Sequence, residues 1–168
     1  MWGSNILFSP ILNENQTTVR AYLPPSSTWY EMIRPPGGTD DDFWFVKVNQ
    51  TGWVELEDRP DVPIHVRAGT ILPLRPGGAQ NTAELKDKPY NLLVLPDESG
   101  HAWGDLFIDD GETIDTVERG LYNYFTFEQK GCQIEVKTEK LGYKANLTLD
   151  SVFIVSSFIS KDDLEVKV

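Results

Sequence analysis

This sequence predicts an all-β fold, with a proximal β-domain followed by a distal β-sandwich, both built from antiparallel strands. Three observations carry that expectation. Short runs rich in Val, Ile, Thr, Phe and Tyr recur at sandwich spacing, punctuated by clusters of Pro, Gly, Asn and Asp. Late in the chain apolar residues alternate: Asn123, Phe125 and Phe127 share one face while Tyr122, Tyr124 and Thr126 share the other, and Ile134 and Val136 then alternate with Gln133, Glu135 and Lys137. No segment carries the apolar spacing of an amphipathic helix. With 168 residues, 40% of them apolar and 11% aromatic, the chain can bury a sizeable core in one domain or two small ones.

Taken in order, the strands of the first half are expected at Asn5–Ile11, Thr17–Leu23, Thr28–Met32, Phe43–Val48, Gly52–Leu56, Ile64–Arg67 and Thr70–Leu74. Each is a β-branched or aromatic run stopped by Pro, Gly, Asn or Asp, residues that favour turn conformations over ladders. The stretch Arg34–Asp42 (RPPGGTDDD) reads as a solvated loop, and Arg75–Pro89 (RPGGAQNTAELKDKP) as a connection between subdomains. The second half offers Tyr90–Leu95, Ala102–Ile108, Tyr122–Gln129, Gln133–Thr138, Ala145–Leu149, Val152–Phe158 and Leu164–Val168 by the same reasoning.

The net charge of −11 is spread over short acidic clusters with no basic run. Because Lys and Arg supply the affinity for phosphate backbones and anionic lipids, no nucleic-acid partner and no membrane contact are expected. No run of about 18 apolar residues is present, and MWGSNILFSP lacks the basic region and cleavage site of a signal peptide. Cys132 is the single cysteine, which excludes an internal disulfide and a two-cysteine metal site and suggests a small buried hydrophobe. Three sequons, at Asn15, Asn49 and Asn146, each followed two residues later by Thr, are candidate glycosylation sites and point to the secretory pathway.

The most chemically loaded stretch is DLFIDDGETIDTVERGLYNYF, residues 105–125. Asp105, Asp109, Asp110, Glu112 and Asp115 could suit a hard cation, but their order lacks the alternate-position oxygens and following helix of an EF-hand. Asp109 and Asp110 would point to opposite faces of a strand, which is awkward for a glycosidase acid and nucleophile. Asp109, Asp110, Gly111 and Glu112 are therefore expected to form a structural hairpin turn, since glycine accepts positive φ and an Asp side chain bonds its own backbone. His65, in an apolar strand, reads as a core histidine; neither it nor His101 has a partner at ligand spacing, and no nucleophile elbow or phosphate loop occurs. No catalytic residue, metal or cofactor is expected from this chain. Trp2, Trp29, Trp44, Trp53 and Trp103 could be sugar-stacking platforms or ordinary core and interface residues.

In their order, MWGSNILFSPIL, TTVRAYLPPSSTWYEM, VPIHVRAGTILPLRPG and GDLFIDDGETIDTVERGLY resemble the C-terminal part of glycoside hydrolase family 31, the α-glucosidases of lysosomal acid maltase and intestinal sucrase-isomaltase type. The resemblance spans nearly the whole chain. It implies that residues 1–11 leave the last strand of a catalytic barrel, that residues 12–75 are a proximal β-domain, 76–89 a linker and 90–168 a distal β-sandwich. It places the catalytic aspartates in the barrel, upstream of the residues present here, and makes that barrel the partner of this region, with oligosaccharide as a further candidate ligand. Ile108 departs from the family's aromatic at that position, Glu84-Leu85-Lys86 replaces a Thr/Ser-Arg-like stretch, and fewer strands follow VFIVSSF than in the family, so the implied distal sandwich is truncated. An autonomous carbohydrate-binding module and a structural interaction domain remain the alternatives.

Overall fold

The computed structural model describes residues 1–34, 43–57, 62–155 and 165–167. The loop expected at Arg34–Asp42 lies, apart from Arg34, outside the described residues, as do the end of the strand expected at Val152–Phe158 and both ends of Leu164–Val168. The chain divides into two compact units, Met1–Ala68 and Gly69–Val168.

The first unit contains β1 (Ile6–Phe8), β2 (Thr18–Leu23), β3 (Trp29–Ile33), β4 (Trp44–Lys47), β5 (Gly52–Glu57) and β6 (Ile64–Arg67). One sheet runs β1-β6-β3-β4 and a second pairs β2 with β5, all antiparallel. Period-two alternation explains the packing: on β2 Ala21 and Leu23 are buried while Arg20 and Tyr22 are exposed, and on β5 Val54 is buried between exposed Trp53 and Glu55. Ala21, Leu23, Trp29 and Val54 form the core, with Leu7, Val48 and Leu56 packed against it. Trp29 is fully buried; its Nε1 donates to the Pro24 carbonyl at 3.1 Å and the Arg67 guanidinium lies 5.0 Å from its ring centroid. That position is a core anchor, not a sugar platform. Leu7 on β1 pairs with His65 on β6, so residues 6–8 are an edge strand of this unit's own sheet. His65 is buried within β6.

The second unit contains β7 (Thr70–Leu74), α1 (Thr82–Lys86), β8 (Tyr90–Leu95), β9 (His101–Ile108), β10 (Asn123–Lys130), β11 (Gln133–Leu141), β12 (Leu149–Ile154) and β13 (Glu165–Lys167). Its seven strands form one sheet in the order β12-β8-β7-β9-β10-β11-β13. Among the described residues its ladders divide evenly: β7–β8, β9–β10 and β10–β11 are antiparallel, whereas β12–β8, β7–β9 and β11–β13 run parallel, where antiparallel pairing was expected throughout. A flat sheet would leave both faces bare. Here Ile71, Leu92, Val94, Ala102, Phe127 and Ile134, drawn from five adjacent strands, make one buried cluster, joined by Leu106, Phe125, Val136, Val152 and Ile154. The alternation of β10 and β11 follows the expected faces, with Phe127 and Ile134 inward.

Four further expectations change. The division falls between Ala68 and Gly69, not near Arg75, because β7 finds its partners in β8 and β9 downstream. The stretch 76–89 lies inside the second unit and holds α1, whose N-terminus is capped by Asn81 Oδ1 accepting from Glu84 N at 2.9 Å. Residues 145–148 are irregular, and the strand begins at Leu149. Cys132 is exposed, in the turn between β10 and β11, rather than buried.

Candidate functional site

The acidic stretch opens the long connection between β9 and β10, which pair antiparallel with Ile108 opposite Asn123. The hairpin is thus a wide one, closed by residues 109–122, rather than a tight two-residue turn. Each aspartate at its mouth is committed to the loop. Asp109 accepts from Gly111 N at 2.8 Å through one oxygen and from the Thr116 hydroxyl at 2.9 Å through the other, and Thr116 is buried. Asp110 accepts from Glu112 N at 3.0 Å, Thr113 N at 2.9 Å and the Thr113 hydroxyl at 2.5 Å. Lys86 of α1 donates to the Asp110 carbonyl at 2.6 Å and ties the loop to the helix.

These donors stabilise the ionised carboxylate, the Thr113 hydroxyl first and then the Thr113 and Glu112 amides, and hold the Asp110 pKa down from its ordinary 3.8 to about 2. A depressed carboxyl contributes stability that is present above the unfolded pKa and lost as pH falls through the folded one. Carboxyl-detected NMR should therefore show Asp110 ionised until about pH 2, with the Glu112 and Thr113 amides losing exchange protection only between about pH 4 and 2. Titration of Asp110 near its ordinary value would mean these bonds do not form in solution.

Gly111 has φ 71° and a Cβ there would meet only the end of the Lys86 side chain. The constraint is backbone, not space. Gly111→Val should cost about 1–3 kcal/mol, read as a lowered melting midpoint, because a β-branched residue is strained at positive φ. An unchanged midpoint would show that the loop re-forms without that conformation. Glu112 is exposed and contributes only its amide to this network.

Asn15, Asn49 and Asn146 are all exposed and all lie outside strands, and Asn15 adopts φ 61°, which Asn tolerates better than most residues. An open cleft of about 580 Å³ lies beside β10, lined by Phe125, Leu141, Tyr143 and Leu147 among others, and among the described residues no carboxylate lines it. Asn123 in its wall is consumed structurally: its Oδ1 accepts from the Gly142 and Tyr143 amides at 3.0 Å each and its Nδ2 donates to the Tyr143 carbonyl at 2.8 Å. Among the described residues no group of three His, Cys, Asp or Glu side chains could hold a metal ion.

The tryptophans divide. Trp29 is core, whereas Trp2, Trp44, Trp53 and Trp103 are between 44% and 70% exposed. Trp103 shares the outer face of β9 with Asp105 and Phe107, a juxtaposition that the alternation of the run HAWGDLFI carries but that reading Trp103 as one of five scattered tryptophans misses. His101 lies at the start of that face, with Nε2 3.2 Å from Glu128 Oε1.

Comparison with known proteins agrees with the fold. Residues 1–72 match the glycosyl hydrolase family 31 C-terminal domain. The lysosomal alpha-glucosidase of Rattus norvegicus is 35% identical over 140 residues, covering 77% of this chain and 14% of that protein. The intestinal sucrase-isomaltase of Homo sapiens is 29% identical over 152 residues, covering 89% of this chain and 8% of its own length. Among solved structures, the glucosidase II alpha subunit superimposes with a TM-score of 0.70 at 19% identity, over 89% of this chain and 17% of that one. The chain thus spans less than a fifth of each of these relatives.

Proposed function

Since the chain belongs to glycosyl hydrolase family 31 as a C-terminal region, we propose that it is the non-catalytic β-region of a retaining α-glucosidase acting on terminal α-linked glucose. Its role is to buttress a catalytic barrel carried in the same polypeptide. One observation supports the non-catalytic reading above others. A retaining glycosidase needs one carboxyl group whose pKa is raised so that it can hold and deliver a proton. Among the described residues, the carboxyl groups with a resolved shift, Asp97, Asp110, Glu128 and Glu139, all move downward, each held ionised first by a side-chain hydrogen bond. Asp109 and Asp110 of the acidic loop have their oxygens already engaged. A barrel neighbour also suits the apolar side chains left uncovered around β1, where Trp2 is 70% and Leu12 84% exposed.

The purified chain should release no glucose from maltose. Glucose release that copurifies with the chain and disappears in Asp110→Asn or Asp105→Asn would overturn the assignment. The compartment proposed with it is the secretory pathway, by way of the exposed sequons. Expressed through that pathway, the chain should carry glycans at Asn15, Asn49 and Asn146, seen as an endoglycosidase-sensitive mobility shift that falls stepwise with each Asn→Gln change.

A further inference from the structure

The outer face of β9 and β10 differs from an ordinary solvated sheet surface. Alternation places Trp103, Asp105 and Phe107 on it from β9, and the register sets Glu128, Thr126 and Tyr124 of β10 directly opposite them. Trp103 is 44% and Phe107 45% exposed, and Phe107 stacks on Tyr122 with centroids 5.0 Å apart and planes at 23°. Burying apolar rings is favourable, so holding two of them half in water forgoes stabilisation that a core position would supply.

The polar groups between the rings are held in place. The Thr126 hydroxyl donates to Glu139 at 3.3 Å, and Lys137 holds Glu139 at 2.6 Å. Lys130 and His101 hold Glu128 at 2.8 and 3.2 Å. A face ordered before any partner arrives loses little entropy on binding.

We propose that this face is a binding platform for a neutral oligosaccharide chain. The chemistry selects that occupant. An anionic polymer meets Asp105, Glu128 and Glu139 on a chain of net charge −11. A dry protein interface would enclose the Asp105 carboxylate between Trp103 and Phe107, at a desolvation cost that interface cores avoid by excluding charge. A sugar chain offers C–H faces to the rings and hydroxyl donors to the carboxylates, and carries no charge. Trp103 and Phe107, four residues apart on one strand, are about 13 Å apart, which calls for a ligand of several sugar units. The inference goes beyond the buttressing role proposed above and does not depend on it, because binding and hydrolysis are measured separately.

The test is titration of the full chain with maltoheptaose, isomaltoheptaose and cellohexaose, followed by calorimetry and by amide chemical-shift mapping. At least one should bind saturably, without glucose release, and shift the amides of β9 and β10. Trp103→Ala and Phe107→Ala should each weaken binding by roughly tenfold, while Trp53→Ala in the other unit leaves it unchanged. The shift map of the unaltered chain decides the matter if either variant fails to fold. No binding by any of the three, shifts mapping elsewhere, or binding indifferent to both substitutions would overturn the platform. So would concentration-dependent self-association that Trp103→Ala abolishes, which would make a second copy of the chain the occupant.

Discussion

Gly104→Ala should lower the melting midpoint of the second unit by more than about 10 °C. A Cβ at that position would stand 2.0 Å from the Ile71 carbonyl oxygen and 2.9 Å from its carbonyl carbon and Cβ. The obstruction is chiefly backbone, so no rotamer change relieves it, and β7 and β9 would have to separate where they run parallel at Thr70 and Trp103. Ile71 and Ala102 belong to the same buried cluster, so the separation also opens the core. Overpacking typically costs about 1–3 kcal/mol, and a backbone clash this short falls at or above the upper end. Differential scanning calorimetry would measure it, and amide exchange should show β7 and β9 losing protection first. A midpoint within about 2 °C of the parent's would mean that the two strands do not approach so closely in solution.

Trp29→Ala should destabilise the first unit by about 3–5 kcal/mol. The indole is fully buried at the start of β3, and around it Ala21, Leu23 and Val54 complete the core. Truncation removes the largest side chain in that cluster, leaves a cavity that a small two-sheet unit has little else to fill, and orphans the Pro24 carbonyl as well as the Arg67 guanidinium stacked on the ring. Denaturant titration followed at β2 and β5 should report the loss. If Trp53→Ala, 60% exposed on the opposite side of β5, costs as much, the buried position is not what holds this unit together.

Much of the strand inventory was legible because it rests on local rules. The strands at Ile64–Arg67, Thr70–Leu74 and Tyr90–Leu95 stand where their composition and flanking Gly, Pro, Asn and Asp put them, and the inward faces of β10 and β11 follow from alternation alone. The Asx bonding of Asp109 and Asp110 was likewise readable, since it is made to backbone two or three residues away. The strand expected at Ala145–Leu149 failed for the converse reason. That stretch alternates well enough, but β12 forms where the chain reaches β8, with Val152 opposite Leu92.

By itself the sequence determined the all-β class, the net acidic charge, the kinship of the segments and the residues able to turn. All of these depend on side-chain chemistry within a few positions. Only the tertiary structure decided that β7 pairs with β8 and β9, which follow it, moving the division to Ala68 and Gly69, and that Trp29 is core while Trp103 faces water with Asp105 and Phe107. A strand's edges bond equally well to any partner that presents matching amides and carbonyls. Which partner arrives, and so which face is covered, is settled by how the whole chain buries its apolar area, a quantity no local window contains.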